Sequence, residues 1–187
     1  YDPVTAKVTM TDITSNIIVL GGPGVNQVAY YYNELRDANG TRVLPVIFLR
    51  DVMGGYLYVQ SSRNEYRIDK NANGQTTADY SVIQLYKDGN RYVLLIYGLG
   101  GDATLTAAKI VTEFNQWNLT GTAVITKYYD SDGDGYLDTT AIVERVLPTG
   151  TVNSISMYWD SNCTNKVSSV DWGMIEPGSS KNITVYV

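Results

Sequence analysis

Four aspartates crowd into nine positions of the stretch YYDSDGDGYLDTT, residues 128–140, as Asp130-x-Asp132-x-Asp134-Gly135-Tyr136-x-Asp138. Residues of this type at this spacing suit a divalent cation. Ca²⁺ takes about six to eight oxygen ligands, and a tight loop offers them at its positions 1, 3 and 5, through a backbone carbonyl at 7, and again at 9. On that pattern the metal ligands are Asp130, Asp132, Asp134, Tyr136 through its carbonyl, and Asp138. Gly135, at position 6, permits the sharp turn. Position 12 is Ala141 rather than the bidentate glutamate of an EF-hand, and the flanks read as strands rather than helices. The expectation is an EF-like Ca²⁺ loop between strands, completed by water or by a residue from elsewhere, with Glu144 as a candidate. Mg²⁺ fits less well, because it prefers few carboxylates and several waters. Metal catalysis would need an open ligand position beside a base or nucleophile. The sequence names no such group, so the expected ion is structural and the chain is read as a non-enzyme.

The rest of the chemical inventory is narrow. Histidine is absent, which removes Ser-His-Asp and Cys-His nucleophiles and histidine-ligated zinc. Cys163 is the single cysteine, so no intrachain disulfide can form; a lone cysteine is most often a small buried apolar residue. The glycine stretches Gly21-Gly22-Pro23-Gly24 and Gly98–Gly101 each precede an amphipathic segment, where backbone N–H groups can bind phosphate. Neither carries G-x-G-x-x-G with a following ribose acid, nor G-K-[ST], so tight strand-to-helix turns are expected. Carboxylate pairs for glycoside hydrolysis are not readable from sequence, since any two of the 19 acids could converge. Asn39, Asn118, Asn162 and Asn182 begin N-x-[ST] sequons and are candidate glycosylation sites.

These residues must be positioned by regular elements. Val4, Ala6, Val8 and Met10 alternate with polar residues, as in a half-buried strand. Ile17–Leu20 is a short apolar run, broken by Gly21 and Gly22. Pro23 then fits a first helical turn, and Val25, Val28, Ala29, Tyr32 and Leu35 mark one face of a helix. Within Tyr30-Tyr31-Tyr32, one ring is expected to face the core and the others a rim or partner. Residues 43–49 and 55–62 read as strands joined by a turn at 51–54. EYRID at 65–69 reads as a short strand and 70–79 as a loop. The clearest hairpin is YSVIQLY-KDGN-RYVLLIYGL, since Asp88-Gly89 tolerates positive φ. A second helix follows Gly101, capped by Asp102 or Thr104, with Ala107, Ile110, Val111, Phe114 and Trp117 on its apolar face. TAVITKYY and TTAIVERV, on either side of the aspartate loop, are strands. The fold class is therefore α/β (α+β), a mixed sheet with two main helices over residues 1–147, followed by a β-rich segment over 148–187.

Composition bounds the partners. The 187 residues carry 14 basic and 19 acidic side chains for a net charge of −5, with no basic cluster, so nucleic acid is excluded as a partner. No apolar run approaches the roughly 20 residues of a membrane-spanning helix. The chain begins at Tyr1 rather than Met, as expected after removal of an N-terminal segment. Sixteen tyrosines against 2 phenylalanines supply apolar area with polar tips, the kind of surface that suits interfaces. The strand-like ends Val4–Met10 and Ile183–Val187 could each add to the sheet edge of a neighbour.

Two stretches carry a family resemblance. SNIIVLGGPGVNQVAYYYNEL resembles the GGPxxN strand-turn-helix of archaeal S-layer proteins. YVLLIYGLGGDATLTAAKIVTEF is similar to the strand–glycine–helix that follows it in that family. The tail VSSVDWGMIEPGSSKNITVYV resembles the opening of small β-sandwich modules on archaeal surface proteins. The first resemblance covers residues 13–146, in a chain much shorter than S-layer proteins usually are. It implies an extracellular, often glycosylated, calcium-assisted structural protein at the cell surface, in an S-layer or a filament whose partners are copies of itself. An adhesin or carbohydrate-binding module, with cell-surface glycans as partners, is the alternative. A carboxylate-dependent extracellular hydrolase ranks behind it.

Overall fold

The computed structural model describes residues 15–117, 119–147, 161, 162, 164 and 165. The strand expected at 4–10 and nearly all of the β-rich segment expected at 148–187 lie outside the described residues, as do Cys163, Asn118 and Asn182.

Between residues 17 and 146 the elements follow the order β1 (Ile17–Leu20), α1 (Gln27–Glu34), β2 (Val46–Asp51), β3 (Gly54–Val59), β4 (Glu65–Tyr66), β5 (Asp69–Lys70), β6 (Thr76–Asp88), β7 (Arg91–Gly98), α2 (Gly101–Thr112), β8 (Ala123–Tyr129) and β9 (Thr139–Val146). The main sheet has the order β1-β7-β6-β8-β9, with β5 paired to the start of β6. Only β1 and β7 run parallel; the other pairings are antiparallel. The fold is thus α+β with a mixed sheet and two helices, as the strand–glycine–helix patterns implied. A second sheet, β2-β3-β4, is a meander.

The central strands of the main sheet, β6, β7 and β8, are buried on both faces over most of their length. On one face Val82, Val93, Leu95, Tyr97 and Ile125 pack with Tyr32 and Ala29 of α1 and with Val46, Leu57 and Val59 of the second sheet. On the other, Ile83 and Ile96 pack against Ala107 and Ile110 of α2. Successive strand residues point to opposite faces, so Asp79 and Ser81 share the α2 face with Ile83. Gln84, buried between the sheets, accepts from the Val46 N–H through Oε1 at 3.3 Å.

Three local expectations are corrected. The first helix begins at Gln27, not at Pro23, because Asn26 takes the N-cap: its side chain accepts from the Val28 and Ala29 N–H groups. Val25 is thereby left off the helix and 88% exposed. α2 is capped by neither Asp102 nor Thr104 side chain. Gly100 is its N-cap with no side-chain cap bond, while Thr104 Oγ1 donates to the Gly100 carbonyl and accepts from the Gly98 N–H. The loop expected over 70–79 shrinks at both ends, because Lys70 pairs with Thr76 and β6 starts there. Of the three tyrosines on α1, Tyr32 is fully buried and Tyr30 is 42% exposed, as the helical spacing required.

Candidate functional site

The aspartate loop spans the turn between β8 and β9, whose last pair is Tyr129 and Thr139. Its base is closed by the Asp138 N–H donating to the Tyr129 carbonyl at 3.1 Å. Asp130 organises the interior: its Oδ1 accepts from the Gly133 N–H at 2.6 Å and its Oδ2 from the Gly135 N–H at 2.9 Å. Those bonds hold its carboxyl below the usual range, the Gly135 N–H contributing most. Gly133 and Gly135 sit at φ +82° and +93°, backbone that glycine adopts without strain. Asp132 accepts from the Asp134 N–H and Asp134 from the Tyr136 N–H.

The result is a convergence of Asp130, Asp132 and Asp134, each with a carboxylate oxygen within 4.8 Å of the others. Asp138 does something different. Its carboxylate accepts from Thr139 and from the Ser131 hydroxyl and N–H, which lower its pKa, Thr139 most. The donor set fits a hard cation: carboxylates only, converging on a loop wound inward by two positive-φ glycines. Each carboxylate oxygen has a second lone pair beyond its N–H bond. Glu144, considered as a further ligand, is directed elsewhere. It accepts from Ser62 and Tyr66 hydroxyls, each at 2.6 Å, and from the Asn64 amide at 3.0 Å. Strand alternation on β9 turns it to the second sheet.

Beside the loop lies a surface cleft of about 570 Å³. It opens where the N-terminus of α2 meets the β6–β8 pair, and the loop forms its third wall through Tyr136 and Leu137. Asp79 and Tyr128, directly opposed in the β6–β8 register, both line it. Asp79 is 5% exposed. Its Oδ1 accepts from the Tyr80 N–H at 2.7 Å, and the Gly100 N–H also donates to it. Burial nevertheless dominates and pushes its pKa up to about 6, with the nearby Asp102 charge adding to the rise. The cleft therefore offers a carboxyl poised near neutrality.

The same geometry explains the glycine stretch 98–101. A Cβ at Gly98 would lie 2.6 Å from Ala103 Cβ, and one at Gly100 would collide with Asp79 Oδ2. These glycines let the helix and the buried carboxyl approach closely. The α2 N-terminus already serves Asp79, which explains why a phosphate reading does not suit it. Sequence reasoning missed Asp79; the available signal was an acid inside TTADYSVIQLY, at a position that strand alternation assigns to a buried face. The two described sequons, Asn39 and Asn162, are exposed, Asn39 in a turn where Asp37 Oδ1 accepts from the Asn39 and Thr41 N–H groups.

No family model, curated protein or solved structure matches the chain. Among the described residues, no helix is long and apolar enough to cross a membrane.

Proposed function

We propose that this chain is a structural protein of the extracellular cell surface that assembles with copies of itself into a surface layer or filament, with Ca²⁺ bound in the 130–138 loop. The observation that carries the assembly reading is the edge strand β1. Among the described residues it pairs only with β7. Ile18 and Leu20 are 72% and 55% exposed on it, although their register partners Leu94 and Ile96 are covered by α2. A strand edge with exposed apolar side chains is a template for a strand from a neighbour, although the Leu20 carbonyl of β1 already accepts from Asn26 Nδ2 at 3.0 Å. The strand-like sequences 4–10 and 183–187 have the alternation such a donor needs. Val52 and Met53, at the exposed tip of the β2–β3 hairpin, add a second apolar contact. Glycans on Asn39, Asn118, Asn162 or Asn182 would suit that location.

Electron microscopy and sedimentation of the purified chain, with calcium and with a chelator, test this. Ordered polymers are expected with calcium, and Ile18→Lys is expected to abolish them without lowering the melting temperature. Monomers in both conditions would overturn the reading. The tyrosine-lined cleft favours a second reading, recognition of cell-surface glycans.

A further inference from the structure

We propose that the cleft between the α2 N-terminus, the β6–β8 pair and the aspartate loop binds a neutral saccharide. This deepens the glycan reading, on which it rests; it is independent of the calcium reading. A sugar ring presents an apolar C–H face and a hydroxyl edge, and the cleft presents complements to both. Tyr128 and Tyr136 supply aromatic surface on two of its walls. Tyr136 is 76% exposed, which leaves its ring open to a ligand, and its backbone N–H donates to Asp134 at 2.8 Å within the loop. At the floor, the Asp79 carboxylate has about four acceptor sites, two of them taken by the Tyr80 and Gly100 N–H groups. The remainder can accept from sugar hydroxyls, as charge-assisted bonds stronger than neutral ones. Gln75 and Thr76, also in the lining, both donate and accept. The volume of about 570 Å³ falls within the roughly 300–1,000 Å³ of small-molecule sites.

Charge sets the class of sugar. Among the described residues lining the cleft, Asp79 and Asp102 are acidic and none is basic. A uronic or other anionic sugar would meet like charge, whereas a neutral hexose or N-acetylhexosamine would not. The loop contributes Tyr136 and Leu137 to one wall, so a cation that fixes the loop would also fix that wall.

The test is an NMR titration of the ¹⁵N-labelled chain with maltose, cellobiose and N,N′-diacetylchitobiose, with digalacturonate as the anionic control. Saturable shifts confined to Asp79, residues 100–102, Tyr128 and Tyr136 are expected with at least one neutral probe, and none with digalacturonate. Tyr136→Ala, which keeps the backbone carbonyl, is expected to weaken binding about tenfold, and Asp79→Asn by a similar factor. Should Asp79→Asn unfold, Tyr136→Ala carries the test alone, since its side chain is exposed. Retention on insoluble cellulose or chitin, released by free disaccharide, would indicate that polymer chains are taken as well as short sugars. The proposal is overturned by shifts elsewhere, by no saturable shift with any neutral probe, by equal binding of digalacturonate, or by unchanged affinity in Tyr136→Ala. A chelator arm separates the two readings. Saccharide binding with a melting temperature indifferent to calcium removes the loop ion and leaves the cleft. Calcium stabilisation without saccharide binding does the reverse.

Discussion

Asp79 places a carboxyl on the buried α2 face of the central strand, where Ile83 further along the same strand packs against the helix. Two backbone N–H groups and the α2 N-terminus favour its charged form, but burial outweighs them and its pKa rises from 3.8 to about 6. The proton is thus held more tightly in the folded chain than in the unfolded one. The stabilising contribution is complete below 3.8 and is lost as pH rises through about 6. Asp79→Asn should therefore gain on the native chain by on the order of 1–3 kcal/mol between pH 4 and pH 7. Urea unfolding of both proteins across that range measures it, and parallel pH curves would refute it. Because other carboxylates have lowered values, the difference between the two proteins, not either curve alone, reports on Asp79.

At the level of elements, Glu144 is a polar link between the two sheets. One carboxylate on β9 gathers Ser62, Asn64 and Tyr66 from the β3–β4 region. Burial alone would raise its pKa, but these three donors more than offset that and hold it below 4.5. Its contribution is present above 4.5 and fades as pH falls through the lowered folded value. Glu144→Gln should cost about 1–2 kcal/mol at pH 7, since an amide cannot accept from all three donors through both of its heavy atoms. The penalty should shrink at pH 3, where the native carboxyl is protonated. Denaturant melts at both values check this; a penalty unchanged with pH would mean that packing rather than charge holds the sheets. The sequence shows Glu144 clearly but not its direction, because a strand residue's face depends on register, and β8–β9 carries an irregularity between Ile125 and Thr126.

Across the whole molecule, the proposed ion and the proposed polymer are separable. A cation that binds only the folded chain stabilises it by mass action, about 2.7 kcal/mol at a hundredfold excess over Kd. Adding Ca²⁺ should raise the melting temperature, and the double variant Asp132→Asn/Asp134→Asn should lose that response while keeping its circular dichroism spectrum. An unchanged melting temperature on chelation would remove the ion from the proposal. The β1 edge would be unaffected by that outcome, since Ile18 and Leu20 lie on a different part of the sheet from the β8–β9 turn.

Patterns carried within a few residues were decided by the chain itself. The alternation in TTAIVERV, the Asp88-Gly89 turn and the strand at Ile17–Leu20 rest on local periodicity or local backbone chemistry, and those elements stand where the sequence puts them, although Ile18 and Leu20 are exposed where a continuous apolar run suggested burial. The α+β class followed from the same signals. What folding alone decided is which distant residues meet. The start of β6 is a strand because β5 and β8 pair with it, not because its own residues demand one. Asp138 bonds Ser131 and Thr139 rather than joining the other three aspartates, a choice made by loop closure. Asp79, Tyr128 and Tyr136 become one cleft only when α2 settles on the sheet beside the β8–β9 turn. Spacing along a chain carries no record of such contacts, because they are fixed by packing between elements that are far apart in sequence.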